Sequence, residues 1–252
     1  MLLQEYYRQI HQNLGVMDIK TNDLELFLEK YPQMSLAPSN KDEHIIQGVL
    51  SLDIDDQYGV IKDDFFIKIV IPENFPVDIP TVYELEDRFP KTSDYHTNPD
   101  SSLCLGSKMS LKKRIKETPT LEGFIHSCVV PYLYAITLYL QGKECFVFGE
   151  LSHGLVGIIQ DYMGVFELST IEQVIKLLEI LSLKSNQGNK KECPCGCNRI
   201  VTKCSFHKKV VDYRNVMTRK EYEEERKLIS LSFDIWKKES IEKKKRKAIP
   251  LA

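Results

Sequence analysis

The chain reads HIIQGVLSLDIDDQYGVIKDDFFIKIVI from His44 to Ile71. Residues 44–54 and 64–71 are rich in β-branched and aromatic side chains, and turn-forming residues lie between them. This composition is typical of two strands joined by a turn, so we expect 44–54 and 64–71 to pair as an antiparallel hairpin. The short segment TVYEL, residues 81–85, predicts a further strand.

Helical patterns lie on both sides of these strands. Apolar spacing or capping signals predict helices in five segments, which are residues 2–14, 118–141, 155–162, 169–183 and 218–247. Thr118-Pro119 is the expected start of the second helix, Pro131 its expected bend, and Ser169 to Glu172 a capping box. Residues 31–42 and 89–116 lack periodicity and are predicted to be irregular. This order of helix, strands, long loop and helices favours an α+β fold.

The composition excludes several classes of protein. The 252 residues are 42% hydrophobic and 28% charged with a net charge of −2, so disorder and a coiled coil are excluded. Such a charge favours neither nucleic acid nor an anionic membrane as a partner. No apolar run reaches the roughly 18 residues of a spanning helix, and the N-terminus does not resemble a signal peptide. We therefore expect a cytoplasmic protein whose seven cysteines are reduced.

The loop at 95–106, YHTNPDSSLCLG, contains a candidate nucleophile. Cys104 lies between two leucines, which also suits a buried structural cysteine. His96 and Asn98 in the same loop favour chemistry, because an asparagine amide can stabilise the oxyanion that forms when a thiolate attacks a carbonyl. A histidine there can order the loop or act as a base.

This region resembles the ubiquitin-conjugating enzymes. Their apolar strand, proline element, His-Pro-Asn loop and Cys-Leu pair have counterparts here in Phe65–Ile71, FPVDIPTV at 75–82, His96-Thr97-Asn98 and Cys104-Leu105. The likeness covers roughly residues 1–165. Thr97 replaces the family's proline, the loop to the cysteine is two residues shorter than usual, and no Trp-Pro follows Cys104. The short loop is more similar to divergent bacterial members, which occur with antiviral or ubiquitin-like conjugation operons.

The resemblance implies an α+β ubiquitin-conjugating-enzyme-like fold and a thioester transferase. Cys104 would accept the C-terminal glycine of a ubiquitin-like modifier, or of another protein, from an adenylating activating enzyme and pass it to an amine of a target protein. Asn98 would stabilise the oxyanion and His96 would hold the loop. Asp100 could orient an incoming lysine, although an Asp after Pro is more typical of a turn. The alternative is an inactive conjugating fold that serves as an adaptor.

Four cysteines near the C-terminus predict a metal site. Cys193, Cys195, Cys197 and Cys204 fall within twelve residues, with His207 just beyond. Closely spaced thiolates with another ligand about ten residues later suit tetrahedral Zn²⁺. The pattern is similar to the SEC-C motif, a small zinc module of bacterial proteins that usually binds other proteins. The resemblance implies Cys193, Cys195 and Cys204 as ligands, with His207 as the first choice for the fourth ligand and Cys197 as the second.

These features predict three parts of the chain. Residues 1–184 form the conjugating-enzyme-like domain, residues 185–215 the zinc module, and residues 216–252 a charged helix with a basic tail. Residues 208–247 hold 14 Lys/Arg against 8 Asp/Glu. That excess could attract nucleic acid, but aromatic residues do not interleave with the cations, so a solvated helix end is the preferred interpretation.

Overall fold

The computed structural model describes residues 19–56, 59–142 and 152–247. The chain forms two compact units, and the division falls between Glu150 and Leu151. The sequence predicts a domain end at residue 184 instead. The two positions differ because the helices between 154 and 182 pack with the C-terminal helix. The helix predicted at 2–14 lies outside the described residues.

A four-stranded antiparallel sheet in chain order organises the first unit. Its strands are β1 (Met34–Ala37), β2 (Glu43–Asp56), β3 (Gly59–Pro72) and β4 (Thr81–Glu84). The predicted hairpin and the predicted strand at 81–85 are confirmed, with Leu50 opposite Phe65 and Ile69 opposite Val82. The α+β class is therefore confirmed.

The edge strand β1 lies in the segment that was predicted to be irregular. Met34 pairs with Gly48 of β2. A Cβ atom added at Gly48 would lie 2.0 Å from the carbonyl oxygen of Gln33, so only glycine lets the two backbones approach this closely. A four-residue strand whose partner is distant in sequence leaves almost no periodic signal.

The helices of the first unit are α1 (Ile19–Lys30), α2 (Lys108–Glu117), α3 (Leu121–Phe124) and α4 (Val130–Leu140). The prediction of an irregular segment up to residue 116 is wrong for α2. Ser107 caps that helix by accepting the Ser110 N–H at 3.2 Å, and Met109 and Ile115 lie in its buried face. Five Lys/Arg among its ten residues concealed the apolar pattern.

The predicted bent helix from 118 to 141 is present in α3 and α4, although it begins at Leu121 with Thr120 as the cap. A π-helical turn at Ile125–Val129 joins α3 to α4. Pro131 has no N–H to donate to the Ser127 carbonyl, which instead accepts Arg114 Nη1 at 3.4 Å.

The core of the first unit lies between the sheet and the helix pair α3–α4. Alternating strand residues and one helix face supply fully buried side chains, which are Ile46, Leu50, Phe65, Ile67, Ile69, Val82, Phe124, Ile125, Val129, Leu133 and Ile136. Each buried side chain of this size contributes about 1.5–3 kcal/mol of transfer free energy. By length and composition, Leu121–Leu140 could cross a membrane, but 61% of that window is buried inside the protein. Such burial is expected for the core helix of a soluble protein.

The second unit is helical. Its helices are α5 (Gly154–Phe166), α6 (Ile171–Ser182), α7 (Ser185–Gly188), α8 (His207–Tyr213) and α9 (Arg219–Lys247). The predicted helices at 155–162, 169–183 and 218–247 are confirmed, but the capping box pairs Thr170 with Gln173, one residue later than expected. Leu177, Leu178 and Leu181 of α6 and Tyr222, Ile229 and Phe233 of α9 are buried, and α6 packs against α9.

Candidate functional site

The loop that follows β4 is held against the sheet by backbone hydrogen bonds. Leu103 N–H donates to the carbonyl of Val82 in β4 at 2.8 Å, and Thr97 forms an isolated β-bridge with Leu103. Cys104 N–H donates to the carbonyl of His96 at 2.7 Å. The loop is thus closed on itself, and its two ends meet beside the candidate nucleophile.

The Cys104 thiol is half-buried at this junction. Burial raises its pKa, and the N–H of Gly106, which donates to the sulfur, opposes that rise. The thiol is therefore mostly protonated at neutral pH. It becomes a thiolate only at alkaline pH or when a reaction partner accepts its proton.

Asn98 is part of a polar chain across the loop. Its Nδ2 donates to Ser102 Oγ at 3.0 Å and to the Leu103 carbonyl at 3.5 Å. Ser102 Oγ in turn donates to Asp100 Oδ1 at 2.7 Å. Two hydrogen bonds from Ser102 lower the pKa of Asp100, which is therefore ionised at neutral pH. This geometry makes Asn98 a cross-link of the loop. An oxyanion could take the amide hydrogen that now makes the longer, weaker bond.

His96 contributes its main chain to the loop. The residue has a φ of 50°, and its N–H donates to the carbonyl of Ser93 at 2.7 Å. Its own carbonyl accepts the Cys104 N–H, so the backbone turns sharply and returns to the cysteine. The main chain of His96 thus orders the loop.

An aromatic cluster beneath the loop was not predicted from the sequence. Tyr132 of α4 donates its hydroxyl to the carbonyl of Tyr95, the residue before His96, at 2.8 Å. Its ring lies against Phe89, and the ring of Tyr95 lies edge-on to Tyr139. Burial raises the pKa of Tyr132, and a charge on Cys104 would raise it further, so the phenol stays a neutral donor. Tyr132 and Tyr139 are seven residues apart, which places them on one face of the helix. This spacing is the sequence signal that could have predicted the aromatic cluster.

The second unit contains a candidate metal centre. The sulfurs of Cys193, Cys195, Cys197 and Cys204 all lie within 4.8 Å of one another. The sulfur of Cys195 lies 3.2 Å from that of Cys193 and 3.6 Å from that of Cys204. A tetrahedral ion with metal–sulfur bonds near 2.3 Å needs sulfurs about 3.8 Å apart. The four thiols therefore fit a single metal ion.

Local backbone structure brings these cysteines together. Glu192 and Ile200 form an isolated β-bridge, and Cys193 N–H donates to the Arg199 carbonyl at 2.7 Å. Between them, Gly196 turns the chain with a φ of 83°. This short hairpin directs Cys197 back toward Cys193, while a 3₁₀ turn at Val201–Lys203 brings in Cys204.

The fourth member of the cluster is Cys197 and not the preferred His207. His207 begins α8, where its N–H donates to the Cys204 carbonyl at 3.1 Å. Its Nε2 is buried with no hydrogen-bond partner among the described residues. The hairpin explains the difference, because it supplies a fourth sulfur before the chain reaches His207.

Neighbouring donors favour thiolates at Cys197 and Cys204, whereas burial opposes them at Cys193 and Cys195. Arg199 lowers the pKa of Cys197 to about 6, and its Nη2 lies 3.9 Å from the sulfur of Cys204. The N–H of Phe206 lowers the pKa of Cys204, whereas burial raises the pKa of Cys193. A cation among four such sulfurs would offset the cost of ionising the buried one.

Comparison of the chain with protein-family models, with curated proteins and with solved structures found no match. A function for this chain therefore rests on its own residues and their geometry.

Proposed function

We propose that the first unit has a ubiquitin-conjugating-enzyme-like fold and carries an acyl group on Cys104. The observation that supports this most directly is the closed loop, which presents a half-buried thiol beside β4 with His96 and Asn98 in the same ring of hydrogen bonds. The four-stranded meander, the proline element before β4 and the helices after the loop follow the order that the resemblance implies.

The proposed reaction is acyl transfer in two steps. The Cys104 thiolate attacks the activated C-terminal glycine of a ubiquitin-like modifier, forms a thioester and releases the activating group. An amine of the target protein then attacks the same carbonyl. The C–N bond forms, the C–S bond breaks, the amine loses a proton and Cys104 leaves as a thiolate.

The environment of Cys104 suits a carrier better than a free-standing catalyst. A thiol with a raised pKa reacts slowly with unselected electrophiles, and it is a poorer leaving group once acylated. Its thioester should therefore persist until an acceptor amine is positioned beside it. The activating enzyme and the target protein would position the acyl donor and the acceptor amine beside Cys104, which the loop alone does not do.

We further propose that the four-cysteine cluster binds structural Zn²⁺. Four thiolates without an open position are typical of structural zinc. The short segment from Cys193 to Cys204 has only three buried apolar residues, Cys193, Pro194 and Val201, so we expect its shape to depend on the metal. The module would then recruit partner proteins, as the SEC-C-like pattern implies.

The alternative function is a non-catalytic adaptor with the same fold. Two observations favour it. Both N–H groups of the Asn98 amide already donate within the loop. Burial also keeps Cys104 protonated. An adaptor would use the loop as a rigid surface and would never carry an acyl group.

A synthetic acyl donor separates the two functions without an activating enzyme. The probe is a short peptide ending in Gly-Gly with a mercaptoethanesulfonate thioester. We expect acyl exchange onto Cys104, observed as a reductant-sensitive mass increase that tryptic mapping places at residue 104. Cys104→Ala should abolish it. Cys128→Ala is the matched control, because this thiol is 1% exposed and should not react. The same mapping scores acylation at residues 193–204 separately, because the lowered pKa of Cys197 makes that thiol reactive as well. No acylation of residue 104 at alkaline pH contradicts the proposal.

A further inference from the structure

The second unit has a cleft with a volume of about 450 Å³ where the end of α6 meets the start of α9. Three cations line it, Lys184, Arg214 and Arg219, together with the polar side chains of Ser185, Asn186 and Thr218. We call it the Arg214 cleft. Its lining residues are all described, and none of them is an aspartate or a glutamate.

Arg214 is fixed in position by neutral groups. Its Nη1 donates to the carbonyls of Ile180 and Leu183 at 3.3 and 3.1 Å, and its Nη2 donates to Asn189 Oδ1 at 2.8 Å. A guanidinium has five N–H donors, so two remain. Burial lowers the pKa of Arg214, because these neutral acceptors do not compensate its charge fully. The side chain is therefore a preorganised fork with capacity for an anion.

The nearby carboxylates are engaged elsewhere. Glu221 Oε2 accepts the backbone N–H of Thr218 at 2.7 Å, and Glu223 accepts two hydrogen bonds from Arg226 at 2.7 Å each. Neither Lys184, Arg214 nor Arg219 forms an ion pair with any residue that the structure describes. An anion bound in the cleft would gain favourable Coulomb interactions with these cations.

We propose that the Arg214 cleft binds the phosphate group of a small phosphorylated molecule. A phosphate offers more oxygen acceptors than a carboxylate to three cations, and a guanidinium fork binds it with two parallel hydrogen bonds. The hydroxyl and amide groups of the lining add neutral donors. The volume exceeds that of a phosphate and falls in the range of small-molecule sites, which leaves room for an organic body.

This site does not depend on the proposed role of Cys104. It lies wholly within residues 183–219 of the second unit, and its contacts involve none of the loop at 95–106. The binding experiment can therefore succeed or fail whether or not Cys104 carries an acyl group.

Calorimetric titration of the full chain tests the site, with adenosine monophosphate and inorganic phosphate as probes and adenosine as the uncharged control. We expect one adenosine monophosphate per chain, weaker binding of phosphate alone, and none of adenosine. Arg219→Gln and Lys184→Gln should each weaken binding about tenfold or more, since each removes a charge-assisted hydrogen bond. Arg214→Lys keeps the charge but loses the fork, so it should also bind more weakly.

The matched control is Lys220→Gln, which removes the same charge from an exposed neighbour of Arg219 that does not line the cleft. We expect it to change binding by less than about twofold. Arg214 donates hydrogen bonds to carbonyls near the end of α6, so its replacement also affects stability. The melting temperature of every variant is therefore measured alongside binding. If Arg214→Lys unfolds, the two exposed variants, Arg219→Gln and Lys184→Gln, decide the result. Absence of binding to both phosphate probes, equal binding of adenosine, or equal loss of binding in Lys220→Gln would overturn the proposal.

Discussion

Replacement of Asn98 by alanine tests whether this residue stabilises the oxyanion or only cross-links the loop. The substitution removes the 3.0 Å bond to Ser102 Oγ and the 3.5 Å bond to the Leu103 carbonyl. One well-formed, partly buried hydrogen bond contributes about 1 kcal/mol to the free energy of unfolding, and the longer bond adds little. If the amide also stabilises the oxyanion, its loss should raise the barrier to acyl transfer by about 3 kcal/mol, or roughly a hundredfold in rate.

Ser102→Ala provides the matched control. It removes the acceptor of the same 3.0 Å bond and also the 2.7 Å bond to Asp100, but it leaves the Asn98 amide in place. Its cost to stability should equal or exceed that of Asn98→Ala, at about 1–2 kcal/mol. A purely structural role of Asn98 therefore predicts that Ser102→Ala impairs transfer at least as much.

The assay loads Cys104 from the peptide thioester and measures discharge to free lysine, alongside the melting temperature of each variant. We expect similar losses of stability in the two variants, but a discharge rate that falls about a hundredfold in Asn98→Ala and less than about fivefold in Ser102→Ala. Equal discharge rates in the two variants would refute an oxyanion role for Asn98.

Four further outcomes follow from the structure. Tyr132→Phe removes the hydroxyl that holds the loop carbonyl at 2.8 Å, so chemical unfolding should show a loss of about 1 kcal/mol and tryptic cleavage within the loop should become faster. Alkylation of Cys104 by iodoacetamide should rise with pH through a midpoint above the roughly 8.5 of a free thiol, because burial raises its pKa; a midpoint below 8 contradicts that environment. Cys197→Ser should reduce metal content, measured by elemental analysis, from about one zinc per chain toward zero, whereas His207→Ala should leave it unchanged; the reverse result would make His207 the ligand. Gly48→Ala should destabilise the first unit by about 2–4 kcal/mol in urea titration, because its Cβ would meet Gln33; a loss below 0.5 kcal/mol would mean that β1 moves aside at little cost.

The parts of the fold that the sequence predicts are those with strong local patterns. Residues 44–54 and 64–71 are rich in β-branched and aromatic side chains, and the hairpin that joins them is a local contact, so both strands are confirmed. β1 was missed because its pairing partner, Gly48, lies fourteen residues away and the strand has only four residues. α2 was missed because its Lys-rich sequence conceals a buried face, in which even Lys112 is 8% exposed.

Prediction of the two candidate sites from the sequence is limited in the same way, because contacts distant in sequence leave no local pattern. A single loop contains His96, Asn98 and Cys104, and the structure joins its two ends beside Cys104. The support from Tyr132 was not predicted, because the contact spans 37 residues and depends on how α4 packs. Spacing could not decide between His207 and Cys197, since the choice depends on the backbone turn at Gly196. Turn geometry of this kind requires a structure.

The most direct test of the acyl-carrier proposal is to trap its intermediate in the cells that make the protein. A serine at position 104 should form an ester that resists reductants and is slow to discharge, so the Cys104→Ser variant should accumulate a covalent adduct. Mass spectrometry of the purified variant should place at residue 104 a peptide that ends in glycine, and its sequence would identify the modifier. The wild-type protein should show the same peptide only when reductant is omitted. Absence of any adduct at residue 104 in both forms, from cells that express the protein at its natural level, would contradict the account and favour the adaptor.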